Sequence, residues 1–173
     1  MEIVYVALGL MVIALGYNQF YLPYRSHKQI VEKLTKLEDK GYMMTSRRDK
    51  LYDYLLENEE VEVYIKCVFI PKHSNVTINA KSTWRLSWGG NPSKLGRSFP
   101  HHRYMPEIEE FSKWVIKKDK KVVKLFMLYP HTEKVLMYLN ESELEIVTPL
   151  MTPYGYKVSN FSTLEEEIEL LIK

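Results

Sequence analysis

The chain has 173 residues, of which 46% are hydrophobic, 13% aromatic and 27% charged. This length is enough for one domain with its own hydrophobic core, and the composition excludes a disordered or collagen-like chain. The single cysteine, Cys67, excludes a disulfide framework and a zinc site built on cysteines. Because the 24 basic and 22 acidic residues nearly cancel, charge is informative only through its distribution along the chain.

The first predicted element is an apolar segment near the amino terminus. Residues 3–17 contain no charged or strongly polar side chain, and Phe20, Tyr21 and Leu22 extend the run to about the 20 residues that a membrane-spanning helix needs. Basic residues follow the segment, so the positive-inside rule predicts a transmembrane anchor over residues 1–24, with the amino terminus outside the cell membrane and the remaining chain in the cytoplasm. The predicted membrane-interface residues are Tyr17, Phe20, Tyr21, Tyr24 and Arg25.

Two other interpretations of this segment remain open. A cleaved signal peptide is disfavoured, because Glu2 stands where basic residues are expected and residues 18–24 are too bulky for a cleavage site. A buried core helix is compatible with the fifteen-residue length of the uninterrupted apolar run. We favour the membrane anchor over both.

Helical signals dominate residues 25–60, which form a predicted connector. Ser26-x-x-Gln29 matches a capping box, apolar residues follow at helical spacing, and Gly41 is the expected terminator. A second helix is predicted from Ser46 to Glu57, so that the two helices would form a helical hairpin.

The hydrophobic period changes to two at residue 61, which indicates strands in a domain covering residues 61–173. Strands are predicted over residues 61–70, 75–80, 82–88, 122–129, 135–139 and 144–147, with helices beginning near Pro106 and Ser162. We expect strands 122–129 and 135–139 to pair across residues 130–133. Regular βαβ alternation is absent, so the predicted fold class is α+β: a transmembrane helix, a helical hairpin, and a mainly antiparallel sheet with two further helices.

Charge is distributed unevenly within this domain. Residues 63–106 contain no Asp or Glu, although the acidic content of the whole chain would place about five or six in a stretch of that length. Such a stretch attracts anions, unless the carboxyl-terminal section, with three basic and eight acidic residues in 131–173, neutralises it across the fold. The candidate anion-binding residues are Lys81, Arg85, Lys94, Arg97, His101, His102 and Arg103.

Sites for specific chemistry are less well supported. Residues 90–98 resemble a phosphate-binding loop only superficially, because five residues separate the two glycines and Pro100 prevents the helix that should follow. His101 and His102 are adjacent and would point to opposite sides of a strand, so no metal site and no cofactor are predicted. Cys67 alternates with Ile65 and Phe69, which predicts a buried, unreactive thiol.

The predicted function is therefore a membrane-anchored cytoplasmic binding module. Its basic, aromatic region from Trp84 to Tyr104 would contact an anionic partner, either acidic lipid headgroups of the bilayer, nucleic acid, or a partner protein in the same membrane. Trp84 and Trp88 share one side of their strand and Arg85 takes the other, which favours burial of both tryptophans. The alternative function is a membrane-anchored enzyme acting on a phosphorylated substrate, with Arg97, Arg103, His101 or His102, and Glu107 as its working groups.

Overall fold

The structure is a computed structural model that describes residues 5, 10–11, 22–47, 51–90, 98–140 and 143–172. The chain divides into two compact units, residues 1–40 and residues 41–173. Within the described residues there are three α-helices and two mixed five-stranded β-sheets.

The first unit contains helix α1, Leu22–Thr35, which continues into a 3-10 helix over Lys36–Lys40. The helix begins four residues before the predicted cap at Ser26. Its second residue is Pro23, and a proline is well tolerated in a first turn because its missing N–H would have no partner there. The predicted termination at Gly41 is confirmed: its φ of 85° is left-handed, a conformation that glycine adopts without steric cost.

The prediction of a transmembrane helix is wrong. No helix among the described residues is long and apolar enough to cross a lipid bilayer. Helix α1, which overlaps the end of the predicted anchor, has 14 residues and is amphipathic, with Arg25, Lys28, Glu32 and Lys33 among them. The single-pass placement in the cell membrane that depended on this helix is corrected with it. Residues 1–4, 6–9 and 12–21 of the predicted anchor lie outside the described residues.

Sheet A of the second unit has the strand order β1–β2–β3–β7–β10. The first three strands pair antiparallel, whereas β7 pairs parallel with both β3 and β10. The prediction of a helix from Ser46 to Glu57, and hence of a helical hairpin, is wrong, because Tyr54 and Leu56 are alternate buried residues of a strand. The strands are β1 Met43–Ser46, β2 Tyr54–Glu57, β3 Val61–Phe69, β7 Lys121–Tyr129 and β10 Lys157–Asn160.

Sheet B has the strand order β6–β5–β4–β8–β9, in which β4 and β8 are parallel and the other pairs antiparallel. The predicted pairing of residues 122–129 with 135–139 is wrong, because these strands belong to different sheets. The prediction of a mainly antiparallel sheet is corrected accordingly to two mixed sheets. The strands are β4 Asn75–Ala80, β5 Thr83–Trp88, β6 His101–Tyr104, β8 Lys134–Tyr138 and β9 Leu144–Ile146.

The chain crosses from sheet A to sheet B twice, through residues 70–74 between β3 and β4 and through residues 130–133 between β7 and β8. The Ile70 N–H donates to the Tyr129 carbonyl (2.9 Å), and the Glu133 N–H donates to the Ser74 carbonyl (2.9 Å). The Thr132 hydroxyl donates to the same Ser74 oxygen (2.7 Å). The two crossings are therefore hydrogen-bonded to each other side by side.

A cluster of buried side chains from both sheets forms the core between them. Trp84 of β5 is fully buried against Phe126 of β7, and its indole Nε1–H donates to the Tyr156 hydroxyl (3.0 Å). The predicted burial of Trp84 is thus confirmed, whereas Trp88 is only partly buried.

Two short helices complete the second unit. Helix α2, Glu109–Lys113, follows a 3-10 turn over Pro106–Ile108, and helix α3 covers Leu164–Leu171. Both predicted helices are confirmed. The N-cap of α3 is Thr163, one residue after Ser162, and its side chain makes no capping hydrogen bond.

Candidate anion-binding surface

One side of sheet B points away from the core. Val76 and Ile78 of β4 and Trp84 and Leu86 of β5 are buried, so the side chains that alternate with them lie on the opposite side. Residues paired directly across neighbouring strands share a side, which extends the assignment over the whole sheet. We call this side the outer face of sheet B; its residues are Asn75, Thr77, Thr83, Arg85, Ser87, His102, Tyr104, Lys134, Leu136, Tyr138, Leu144 and Ile146.

The outer face has no carboxylate among these positions, but it carries Arg85, Lys134 and His102. None of the three forms an ion pair with a carboxylate of the described residues. Tyr104 lies directly opposite Arg85 on the neighbouring strand, and its ring is 64% exposed. The β4–β5–β6 part of the face is therefore cationic, with an exposed aromatic ring beside a guanidinium group.

The part of the outer face on β8 and β9 is apolar. Leu144 and Ile146 of β9 are 50% and 56% exposed, and Leu136 and Tyr138 of β8 lie beside them. The face is thus divided into a basic, aromatic half and an apolar half, with Lys134 at the end of β8 nearest Asn75.

The remaining sequence-predicted residues do not join this face. His101 and Arg103 point to the other side of β6, where the His101 ring lies 5.6 Å from the ring of Trp88. Lys81 lies exposed in the turn between β4 and β5. Lys94 and Arg97 lie outside the described residues.

Of the predicted membrane-interface residues, Tyr24 and Arg25 are exposed positions of α1. The other three, Tyr17, Phe20 and Tyr21, lie outside the described residues.

Arg103 forms an ion pair with a carboxylate of its own chain. Its Nη1 donates to Glu107 Oε2 (3.0 Å) and its Nη2 to Glu107 Oε1 (2.5 Å), a bidentate pair. The hydrogen bonds to Glu107 raise the pKa of Arg103. Burial acts to raise the pKa of Glu107, but the hydrogen bonds from Arg103, a backbone hydrogen bond and the charge of Arg103 together outweigh it, so that this pKa lies below its ordinary value. Glu107 is therefore the ionised partner of Arg103. A carboxylate with a lowered pKa is unsuited to proton transfer near neutral pH.

The acidic carboxyl-terminal section does not neutralise the outer face within the described residues. Within the described residues, this section forms one ion pair with the 63–106 stretch, between Glu133 and His73 (3.1 Å). The other described acidic side chains of this section lie on α3 or at β9, where Glu145 points to the side opposite Leu144 and Ile146.

Cys67 offers no reactive group. It is buried on β3, and its backbone N–H donates to Asp53 Oδ2 (2.7 Å). Burial, together with the nearby Asp53 carboxylate, raises the pKa of the thiol well above its usual range, so the thiol stays protonated and weakly nucleophilic. Across the described ranges of the chain, no group of three His, Cys, Asp or Glu side chains is placed to hold a metal ion.

Lys134 is the residue of the outer face that sequence reasoning misses. It lies outside the 63–106 stretch and joins the face only because β8 pairs in parallel with β4, which places Lys134 beside Asn75. No local sequence signal announces that pairing, since the two residues are far apart in the chain.

Comparison with known proteins identifies no relative of this chain. No protein-family model, no curated protein and no solved structure matches it significantly. The function has to be inferred from the outer face of sheet B itself.

Proposed function

We propose that the protein is a binding module that holds single-stranded nucleic acid on the outer face of sheet B. The observation that supports this function is the juxtaposition of Arg85 and Tyr104: a guanidinium without a carboxylate partner in the described residues lies beside an exposed ring. Cations that meet phosphates and aromatic rings that stack on bases are the two elements from which such surfaces are built.

The cations of the face are spread widely enough to contact different phosphates. Arg85 lies on β5 and Lys134 on β8, with β4 between them. Two strand spacings separate their backbones by about 10 Å, a distance that lets the two side chains contact different phosphates. His102 lies on the same face and adds an imidazole that can hydrogen-bond a phosphate.

The exposed ring of Tyr104 distinguishes among the anionic partners. The bases of a duplex are already stacked on one another, whereas the unpaired bases of a single strand are free to stack on an aromatic side chain. A lipid headgroup supplies charge but no planar group to cover the ring. Single-stranded nucleic acid therefore uses both features of the basic half, while acidic lipid or duplex uses only the charge.

The test is binding of the full chain to a fluorescently labelled 20-nucleotide single strand, followed by anisotropy over a series of salt concentrations. Arg85→Gln and Lys134→Gln should each reduce the slope of log K against log salt by about 0.7, the value for one lost phosphate contact on a single strand. Tyr104→Ala should weaken binding by about 5- to 150-fold, the loss of one stacked base, with little change in slope.

Matched controls come from exposed residues elsewhere in the chain. Arg47→Gln and Tyr24→Ala remove a cation and a ring of the same types at exposed positions that are not among the residues of the outer face, and both should leave binding unchanged. Equal losses in the control and test variants, or no binding at low salt, would refute the proposal. Tighter binding to a duplex, or to vesicles containing phosphatidylserine, would assign the face to that partner instead.

A further inference from the structure

Sheet B ends at two exposed strands that carry different side chains. Strands β6 and β9 are its outermost strands, and no strand of the described residues pairs with their outer edges. All residues of both strands are exposed. Strand β6 contains two histidines and Arg103, whereas Glu145 lies in the middle of β9 and Glu143 immediately precedes it. Unpaired strand edges are templates for pairing with another chain.

The directions of the two edge strands permit a continuous sheet. Strand β6 is antiparallel to β5, and β5 is antiparallel to β4, so β6 and β4 run in the same direction. Because β4 is parallel to β8, β6 also runs parallel to β8. Strand β9 is antiparallel to β8, so β9 and β6 run in opposite directions. A second copy of the chain in the same orientation would therefore bring its β6 antiparallel to β9 of the first copy, with both outer faces on the same side.

Antiparallel pairing also matches the side chains. If Glu145 of one copy lies opposite Arg103 of the next, Leu144 lies opposite Tyr104 and Ile146 opposite His102. The acidic and basic side chains then share the inward side, and the aliphatic and aromatic side chains share the outer face. Arg103 remains reachable in this arrangement, because its side chain is 42% exposed despite its pair with Glu107.

We propose that copies of this chain associate head to tail through pairing of the β9 edge of one copy with the β6 edge of the next. Pairing of like edges by two-fold symmetry is disfavoured, because β9 with β9 would oppose Glu145 to its own equivalent and β6 with β6 would bring the two Arg103 guanidinium groups together. The contact leaves a free edge at each end, so it propagates as an open chain of copies. It uses only three or four residues from each side, so the association is weak and concentration-dependent.

The test is sedimentation of the full chain between about 10 μM and 1 mM, without nucleic acid, so that its outcome is independent of the proposed function. One variant blocks the β9 edge by Glu145→Lys with Ile146→Lys, and another blocks the β6 edge by His101→Glu with His102→Glu. Circular dichroism checks that both retain their strands. The wild-type chain should associate progressively, and each blocked variant alone should associate at least about tenfold more weakly.

Mixing the two blocked variants decides the geometry of the contact. Each retains the edge that the other has lost, so the mixture should form one-to-one pairs that do not grow further. A wild-type chain that stays monomeric at the highest concentration overturns the proposal. A β6-blocked variant that still dimerises alone overturns it as well, since that result requires pairing between like β9 edges.

Discussion

The hydroxyl of Tyr156 should contribute measurably to stability through one buried hydrogen bond. Tyr156 is almost fully buried, accepts a hydrogen bond from the indole N–H of Trp84, and donates to the carbonyl of Lys81 (3.1 Å). Tyr156→Phe removes only the hydroxyl and leaves the ring packing in place. Trp84 is fully buried, so its N–H then has neither a protein partner nor access to water.

The expected cost follows from which groups are left unpaired. An unsatisfied buried donor costs about 1–3 kcal/mol, whereas the carbonyl of Lys81 lies in an exposed turn and can bond water. We expect Tyr156→Phe to lower the free energy of unfolding by about 2 kcal/mol. The double variant Tyr156→Phe with Trp84→Phe has no unpaired indole N–H, so its loss of unfolding free energy should be about 1–2 kcal/mol smaller than the sum of the two single losses.

Urea unfolding, followed by the fluorescence of the remaining tryptophans and by circular dichroism, measures these differences. A loss of about 2 kcal/mol should move the midpoint by about 1 M urea. The matched control is Tyr154→Phe. Tyr154 is about half-exposed, so losing its hydroxyl should change the free energy of unfolding by less than about 0.5 kcal/mol. If Tyr156→Phe matches this control, or if the double variant is additive, the hydrogen bond does not stabilise the core.

Three further predictions concern other polar groups of the second unit. Burial, with a smaller effect from a neighbouring lysine, lowers the pKa of Lys124 to about 8, so between pH 8 and 10 the unfolded chain binds more protons than the folded chain. Over that range the stability of the wild type relative to Lys124→Met should therefore rise with pH, by on the order of 1 kcal/mol after allowance for solvent screening. Urea unfolding at each pH measures the difference. Glu62 accepts a hydrogen bond from Lys118 (2.6 Å) that, with one from a tyrosine, lowers its pKa. Glu62→Gln should therefore destabilise the chain at pH 7 and should cease to do so once the pH falls below the folded-state pKa, as thermal unfolding over a series of decreasing pH would show. Thr132→Val removes the buried hydrogen bond to the Ser74 carbonyl, which keeps its bond from the Glu133 N–H, and should cost about 0.5–1.5 kcal/mol by urea unfolding, whereas Thr132→Ser, which keeps the hydroxyl, should cost less.

Strands with a clear alternation were predictable from the sequence, and the four-residue strands were not. The period of two in Val61–Phe69 is long enough to exclude a helix, and the structure confirms that strand. The four residues of Tyr54–Glu57 are too few to distinguish the strand period from the helical period, because the apolar residues near them also fit helical spacing. Pairing with β3 decides the outcome there, because it buries Tyr54 and Leu56 on β2.

The outer face of sheet B was predictable only in part, for a similar reason. The alternation of Trp84 and Arg85 correctly separates the buried side chain from the exposed one, because both lie on one strand. Arg103 is excluded from the face because its strand pairs it with the buried Leu86 of β5, and Lys134 is included because β8 pairs in parallel with β4. Contacts between distant segments set these outcomes, and local sequence patterns do not encode them.

The paired crossings between the sheets make this fold sensitive to changes in chain length. Strands β3 and β7 align residues 60 positions apart, as Val61 with Lys121, whereas β4 and β8 align residues 59 positions apart, as Asn75 with Lys134. The second crossing is therefore one residue shorter than the first. Adding or deleting a single residue in either crossing would turn the following strand over, presenting its polar side to the interior. Evolutionary drift in loop length should accordingly be tolerated at the turn between β4 and β5 and selected against at both crossings.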